Sequence, residues 1–225
     1  MLKKTLFATL MVALTPVLAW GAIIPAGDIN NTPHASEDSL WLIVNNIYGT
    51  SFNSNADMQF AQVGTETFSF LNVSASAQAV FAANSQTFGW YDTATATENV
   101  LFTVTGSGYA VTGAGAFSSE NDFGFFLTST NGGSNTWYSE VALNSDGIDH
   151  QALYDLAALT GDASYAGSYL SAWEDLALGS ANFDGDYNDL VLQIDTNIIP
   201  EPTTMTLLGI GLAGFAARRF RNKKS

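Results

Sequence analysis

The stretch Leu190–Asp195, with the sequence LVLQID, decides the fold class of this chain. Its alternate residues Leu190, Leu192 and Ile194 are apolar and point to one face of an extended strand, while the residues between them point to the other. This period of two is typical of a β-strand that lies on a core. The stretch therefore predicts a strand with one buried face, whose other face meets solvent or a second sheet.

Short apolar runs of the same kind recur upstream, each bounded by Gly, Asn, Ser or Asp. The further strand candidates are Leu40–Tyr48, Thr67–Val73, Ala77–Ala83, Asn99–Val104, Tyr109–Phe117, Phe123–Thr128, Ala152–Ala158 and Tyr169–Leu176. Ala152–Ala158 is equally compatible with a short helix, because three of its apolar residues have helical spacing. Short strands at close spacing predict an all-β fold, an antiparallel β-sandwich or jelly-roll-like domain over residues 23–198.

The charges of the chain are unevenly distributed. Its 225 residues include 7 Lys and Arg against 21 Asp and Glu, a net charge of −14, and no Cys. Between Lys4 and Arg218 there is no basic residue other than two histidines. Nucleic acid is therefore excluded as a partner of the central region, which has no basic face. The absence of Cys excludes disulfides and thiol chemistry.

The N-terminus has the layout of a secretory signal peptide. Lys3 and Lys4 precede an apolar run from Leu6 to Leu18, and small residues follow near Ala19 and Gly21. We expect residues 1–22 to be a signal peptide that is cleaved after one of those two small residues. The domain that follows is then exported.

The C-terminus combines a Pro-Glu-Pro motif, an apolar run and a basic tail. The apolar run over about 203–217 is shorter than the ~20 residues that span a bilayer comfortably, although flanking basic side chains can snorkel. We expect it to form a single transmembrane helix that anchors the chain at least transiently. The basic residues at both ends of the chain predict that both termini are cytoplasmic and that the acidic middle lies across the membrane.

Residues 199–225 resemble the PEP-CTERM sorting signal of Gram-negative bacteria, since the three features occur in its required order. The residues that carry this resemblance are Pro200, Glu201, Pro202, Arg218, Arg219 and Arg221. The resemblance implies export across the bacterial inner membrane, processing by an exosortase-type membrane protease, and release to the cell surface or a biofilm exopolysaccharide matrix. These residues would then be a sorting site and not a catalytic one.

The densest chemical feature of the exported region is a set of acidic residues. Asp184, Asp186 and Asn188 lie at alternate positions, and Gly185 allows a tight bend, so their oxygens can converge. Oxygen ligands of this kind suit Ca²⁺. The candidate metal ligands are Asp184, Asp186, Asn188, Asp189, Glu174 and Asp175, with a weaker second cluster at Asn144, Asp146 and Asp149.

Turn formation alone is the alternative explanation for these residues, since Asp, Asn and Gly are favoured in turns. The missing Lys and Arg favour the metal, because packed carboxylates without a cation must be solvated, protonated or metal-bound. Glu174 and Asp175 would point to opposite sides if they lay on a strand, so we do not expect them to act as a pair.

A second resemblance, over residues 122–195, is to the bacterial domain of unknown function 4114. The segments that carry it are Asp122–Leu127, Trp137–Ser139, Asn144–His150, Trp173–Leu176 and Asp184–Leu192. The chain departs from the family pattern at Ala177–Ser180, where members of the family commonly have a Gly-rich run. It implies an extracellular setting and no established activity.

Three functions fit these features. We expect a non-enzymatic, exported surface or matrix protein that binds Ca²⁺ through acidic loops. The alternative is a carbohydrate-binding module, on account of its aromatic residues Trp41, Trp90, Trp137 and Trp173. A glycoside hydrolase using Glu174 with Asp184 or Asp186 is the third, and nothing in the sequence marks an acid of raised pKa.

Overall fold

The computed structural model describes residues 23–25, 27–34, 36–69, 71–130 and 134–198. The predicted signal peptide, residues 1–22, and the predicted sorting signal and helix, residues 199–225, lie outside the described residues. Within the described ranges, none of the helices has the length and apolar character that crossing a membrane requires.

The described chain forms two antiparallel sheets with a few short helices. The strands are β1 Leu71–Ala79, β2 Ser85–Asp92, β3 Thr97–Thr103, β4 Thr105–Ser107, β5 Ala110–Thr112, β6 Ala114–Ser118, β7 Phe123–Thr130, β8 Ser134–Tyr138, β9 Gln151–Asp155, β10 Ser168–Trp173 and β11 Leu190–Ile198. The α-helices are α1 Leu40–Tyr48 and α2 Leu156–Thr160, and 3₁₀ turns lie at Asn55–Ala61, Val141–Leu143 and Ala163–Tyr165. The predicted all-β, antiparallel class is confirmed.

One sheet has five strands in the order β6-β1-β11-β10-β9, and the other has four in the order β3-β2-β7-β8. Strands β4 and β5 form a separate hairpin. Strand β11 is central, because it pairs with β1 on one side and with β10 on the other. The stretch that begins at Leu190 therefore organises the larger sheet.

An aromatic core lies between the two sheets. Leu190, Leu192 and Ile194 are buried in it, as their alternation predicts. From the opposite sheet comes Phe88, whose ring centroid lies 5.4 Å from that of Phe125 and 6.0 Å from that of Trp173 on β10. Burial of these large side chains is the main favourable contribution that holds the two sheets face to face.

A second core covers the outer face of the five-stranded sheet. Leu40, Ile43 and Val44 of α1 are buried there in one cluster with Leu170 and Val191. The larger sheet is thus buried on both faces over part of its area. This packing holds the segment that precedes α1 against the loop that precedes β11.

The segment Leu40–Tyr48 is a helix, so the strand predicted there is wrong. Its buried residues Leu40, Ile43 and Val44 are spaced three and four apart, which is the helical period. The helix ends at Gly49, whose φ of 70° is the left-handed conformation that glycine adopts without strain. The ambiguous run 152–158 contains both alternatives, with β9 up to Asp155 and α2 after it.

Two strands of the smaller sheet, β2 and β8, were not predicted. Strand β2 has Gly89 near its centre. A Cβ at that position would lie 2.4 Å from Cζ of Phe126, so glycine is required by the close packing of β2 on β7. The predicted runs 67–73 and 77–83 merge into β1 and its continuation, and 109–117 divides into β5 and β6.

Candidate metal centre

A pocket of about 500 Å³ opens where the segment before α1 meets the loops that follow β10 and precede β11. Four of its lining residues are acidic: Glu37, Asp175, Asp184 and Asp189. The described residues include no Lys or Arg, so none of them places such a cation opposite these carboxylates. The pocket is therefore strongly electronegative.

The loop before β11 is shaped by two residues in left-handed conformation, Gly185 with φ 66° and Tyr187 with φ 57°. The bend expected at Gly185 is thus present. The side chain of Tyr187 is buried, and its hydroxyl donates to the carbonyl oxygen of Asp149 at 2.6 Å. This anchor stabilises a conformation that a non-glycine residue rarely adopts.

Carboxylates of this loop form an outer triad with Glu37. One carboxylate oxygen from each of Glu37, Asp184 and Asp186 lies within 4.8 Å of the other two. The side-chain amide of Asn188 donates to Oδ2 of Asp186 at 2.7 Å and to the carbonyl oxygen of Asp38 at 3.0 Å. The outer triad thus joins two segments that are far apart in sequence.

An inner triad lies deeper, at the junction of β10 with the loop that leads to β11. It consists of Glu174, Asp175 and Asp189, whose nearest carboxylate oxygens also lie within 4.8 Å of one another. Strand β10 ends at Trp173, so Glu174 and Asp175 are not on a strand. The expectation that they point to opposite sides is wrong for that reason.

Backbone and side-chain donors hold the inner carboxylates in place. The amides of Leu176 and Gly185 donate to the two oxygens of Glu174 at 3.2 and 3.0 Å. The amide of Asp175 donates to Oδ2 of Asp189 at 2.8 Å. Oδ2 of Asp175 accepts hydrogen bonds from Gln86 and Ser129, which lie on the four-stranded sheet. It also accepts from Asn84, the residue that precedes strand β2. The backbone donors to Glu174 and Asp189 favour the ionised forms of those two carboxylates, which are the forms that bind a metal.

Burial and the repulsion between neighbouring carboxylates have the opposite effect and raise the pKa values of these groups. Burial, together with the charge of Asp184, raises the pKa of Glu174 to about 7 and the pKa of Asp186 to about 8. Burial and the neighbouring Asp175 raise the pKa of Asp189 well above its usual range. The pKa values of Glu37 and Asp184 are raised as well, mainly by burial. A bound cation would relieve this repulsion and lower all of these pKa values.

Two buried amide oxygens beside the triads have no hydrogen-bond partner among the described residues. They are Oδ1 of Asn188, which is 0% exposed, and Oε1 of Gln86, which is 1% exposed. The amide of Asn188 contacts Asp186 of the outer triad, and the amide of Gln86 contacts Asp175 of the inner one. A buried acceptor left unpaired is costly, and an ion is one of the partners that satisfies it.

The structure brings the six predicted ligands together: five carboxylates are divided between the two triads, and Asn188 lies beside the outer triad, hydrogen-bonded to Asp186. Sequence reasoning missed Glu37, which lies 147 positions before Asp184 in a loop with no metal-binding spacing. It also missed Gln86, because the strand that carries it was not predicted. Only the fold places these two residues at the acidic loop.

The side chains of the weaker second cluster form hydrogen bonds with their own loop and with neighbouring segments. The side chain of Asn144 bonds to the backbone of Tyr138 and Ile148. Asp146 accepts from the backbone amide of Leu178 at 2.9 Å and lies 3.0 Å from Nε2 of His150. Burial raises the pKa of Asp149 to about 7. Metal binding at this loop stays a prediction.

The predicted aromatic residues are occupied by packing. Trp173 and Trp137 are buried, and the ring of Trp137 stacks on His150 with centroids 3.8 Å apart. Trp90 stacks on Phe117 with centroids 4.5 Å apart, and Trp41 packs against the helical core. Trp137 and Trp173 therefore offer no open face to a sugar, while Trp41 and Trp90 are only partly buried.

Two solved lectin structures are similar to part of the chain. The C-terminal domain of BC2L-C lectin from Burkholderia cenocepacia is 19% identical over 57% of this chain and 92% of its own, with a TM-score of 0.32. The high-affinity mannose-binding lectin of Ralstonia solanacearum is 21% identical over 57% of this chain and 93% of its own, with a TM-score of 0.28. TM-scores this low support no inference about ligand or fold.

No curated protein matches the chain. The resemblance to the domain of unknown function 4114 stays a prediction. The family model of the PEP-CTERM protein-sorting motif matches residues 199–221, the region in which the sequence predicts it. Such a motif implies export, exosortase-mediated processing and a location in the cell envelope or at the surface. The chain therefore carries a PEP-CTERM protein-sorting motif.

Proposed function

We propose that this chain is a non-enzymatic surface or exopolysaccharide-matrix protein whose β-sandwich binds Ca²⁺ in the acidic pocket. One observation carries the proposal. Six carboxylates converge in two triads, each beside a buried amide oxygen without a partner, in a region that has no Lys or Arg. Sorting by the PEP-CTERM motif supports the surface location.

The donor set suits calcium better than other common cations. Ca²⁺ takes six to eight oxygen ligands in flexible geometry, and carboxylate and amide oxygens are among its usual ligands. The described residues offer no Cys, and the nearest histidine to the outer triad, His34, lines the pocket without belonging to either triad. A site of oxygen donors alone favours a hard cation over zinc or copper.

Burial argues against the glycoside hydrolase. The raised pKa of Glu174 is what a general acid needs, so that particular objection from sequence no longer holds. However, Glu174 is 0% exposed and Asp186 is 1% exposed, and neither lines the pocket. Of the three carboxylates in that hypothesis, only Asp184 lines the pocket.

The test is thermal unfolding of the exported, processed protein in EDTA, in Ca²⁺ and in Mg²⁺. Binding to the folded form alone stabilises by about 2.7 kcal/mol at a ligand concentration of 100 times Kd. For a domain of this size that corresponds to a Tm increase of roughly 5–11 °C. We expect this increase with Ca²⁺ and a smaller one with Mg²⁺, which demands stricter octahedral geometry. Identical Tm values in EDTA and Ca²⁺ would contradict the proposal.

A further inference from the structure

We propose that two cations bind at the base of the pocket, one at each triad, where buried Glu174 and Asp186 meet the carboxylates that line the pocket, and that the outer cation holds the segment before α1 to the loop before β11. This inference rests on the proposed function, because it specifies how the same pocket binds its metal. Two cations differ from a single shared ion in two ways: in the number of ions bound per chain, and in the parts of the fold that each ion connects.

The two triads are separate ligand sets. The outer one is Glu37, Asp184 and Asp186, and the inner one is Glu174, Asp175 and Asp189, with no residue in common. Each set carries three negative charges when it is fully ionised, more than enough to neutralise one divalent cation. A single ion at either triad would leave the other as three unneutralised carboxylates in a partly buried site.

Each triad also has its own unpartnered amide oxygen. Oδ1 of Asn188 belongs to an amide that already donates to Asp186, and it is fully buried. Oε1 of Gln86 belongs to a buried amide that donates to Asp175 of the inner triad. Two buried acceptors at two different triads indicate two ligands.

The outer triad is the one that joins distant parts of the chain. Only Glu37 comes from the segment before α1, and its partners follow 147 or more positions later. Hydrogen bonds already connect the two parts, from the amide of Asn30 to the carbonyl oxygen of Gly185 at 2.9 Å and from Asn188 to the carbonyl oxygen of Asp38. In a protein without disulfides, an ion here would close a long loop.

The inner triad instead lies where the two sheets meet. Asp175 follows β10 of the larger sheet, and its carboxylate accepts from Gln86 on β2 and Ser129 on β7 of the smaller one. An ion at this triad would connect the two sheets and would have no ligand from the segment before α1. The two ions are thus separable by mutation.

The experiment counts the calcium ions bound to the processed protein by native mass spectrometry, in the wild type and in Glu37→Gln. We expect two ions in the wild type and one in the variant. The side chain of Glu37 is only half-buried, so the neutral isostere should fold, and a Tm measured in EDTA checks this. Glu120→Gln, which removes one exposed charge away from the pocket, is the matched control and should retain two ions.

Hydrogen exchange gives a second readout. Calcium should slow amide exchange over residues 27–39 in the wild type, and this protection should be lost in Glu37→Gln while protection around Glu174 remains. One ion in the wild type, or two in Glu37→Gln, would overturn the two-site proposal and leave the proposed function intact. No ion in the wild type would overturn both.

Discussion

Replacing Asp186 by Asn should stabilise the protein without calcium and weaken its response to calcium. Asp186 lies within 4.8 Å of two other carboxylates, Glu37 and Asp184. At an effective dielectric constant of about 20, two full charges at that separation repel by about 3.5 kcal/mol. Because Glu37 and Asp184 are half-exposed, water and salt reduce this value, and we expect a gain of about 1–3 kcal/mol.

The substitution preserves the shape and much of the hydrogen bonding of the side chain. An asparagine oxygen can still accept from the amide of Asn188, as Oδ1 of Asp186 does at 3.1 Å. The new amide group can donate to the unpartnered oxygen of Asn188 if that side chain turns. The removal of charge is therefore the main change.

The assay is thermal unfolding at pH 8 in EDTA and in excess Ca²⁺. A gain of about 1–3 kcal/mol corresponds to a Tm roughly 2–12 °C above the wild type in EDTA. In Ca²⁺ the wild type should gain more than the variant, because the variant lacks one ligand of the outer triad. Glu120→Gln, which removes an exposed charge away from the pocket, should alter neither value.

The opposite result would refute the reasoning. If Asp186 served only as a hydrogen-bond acceptor in the turn, the variant would be less stable than the wild type in EDTA. Its Tm increase with Ca²⁺ would then equal that of the wild type.

Three further outcomes are expected. In the folded protein the pKa of Glu174 is raised from 4.5 to about 7, and the pKa of Asp186 from 3.8 to about 8. The neutral forms of these two side chains therefore contribute stability that is fully present below the ordinary pKa values and is lost as the pH rises through the raised ones. The protein in EDTA should therefore be more stable at pH 5 than at pH 8, and the Tm increase with Ca²⁺ should be larger at pH 8; a pH-independent increase would contradict this. Gly124→Ala places a Cβ 2.3 Å from the hydroxyl oxygen of Tyr91 and should cost about 1–3 kcal/mol in urea unfolding, whereas Gly27→Ala, with open space around it, should not. The exported protein should have an intact mass below the 23.9 kDa of the whole chain, through loss at both ends; retention of either end would contradict the processing.

The fold could be predicted where the decisive contacts are local. The alternation of Leu190, Leu192 and Ile194 specifies a strand face by itself, and the structure places all three in the core between the sheets. The same reasoning failed at Leu40–Tyr48, where a run of apolar residues fits either period until the positions of the buried ones are known. It also failed at β2, because Gly89 is needed for packing against Phe126 and not for a turn.

The metal site could be predicted only in part for a similar reason. The acidic loop is contiguous, so composition and spacing identify Asp184 and Asp186 directly. Glu37 and Gln86 reach the site from remote parts of the chain, through the packing of α1 and the pairing of β2. These long-range contacts produce no recognisable spacing of residues in the sequence. The division into two triads follows from the same long-range geometry.

The most direct test of the calcium-binding account is the metal content of the processed protein, isolated from the cell surface without chelators and weighed intact. Elemental analysis should find two calcium ions per chain, and dialysis against EDTA should remove them and lower the Tm. A protein of the processed mass that contains no calcium, and that takes up none at millimolar Ca²⁺, would contradict the account.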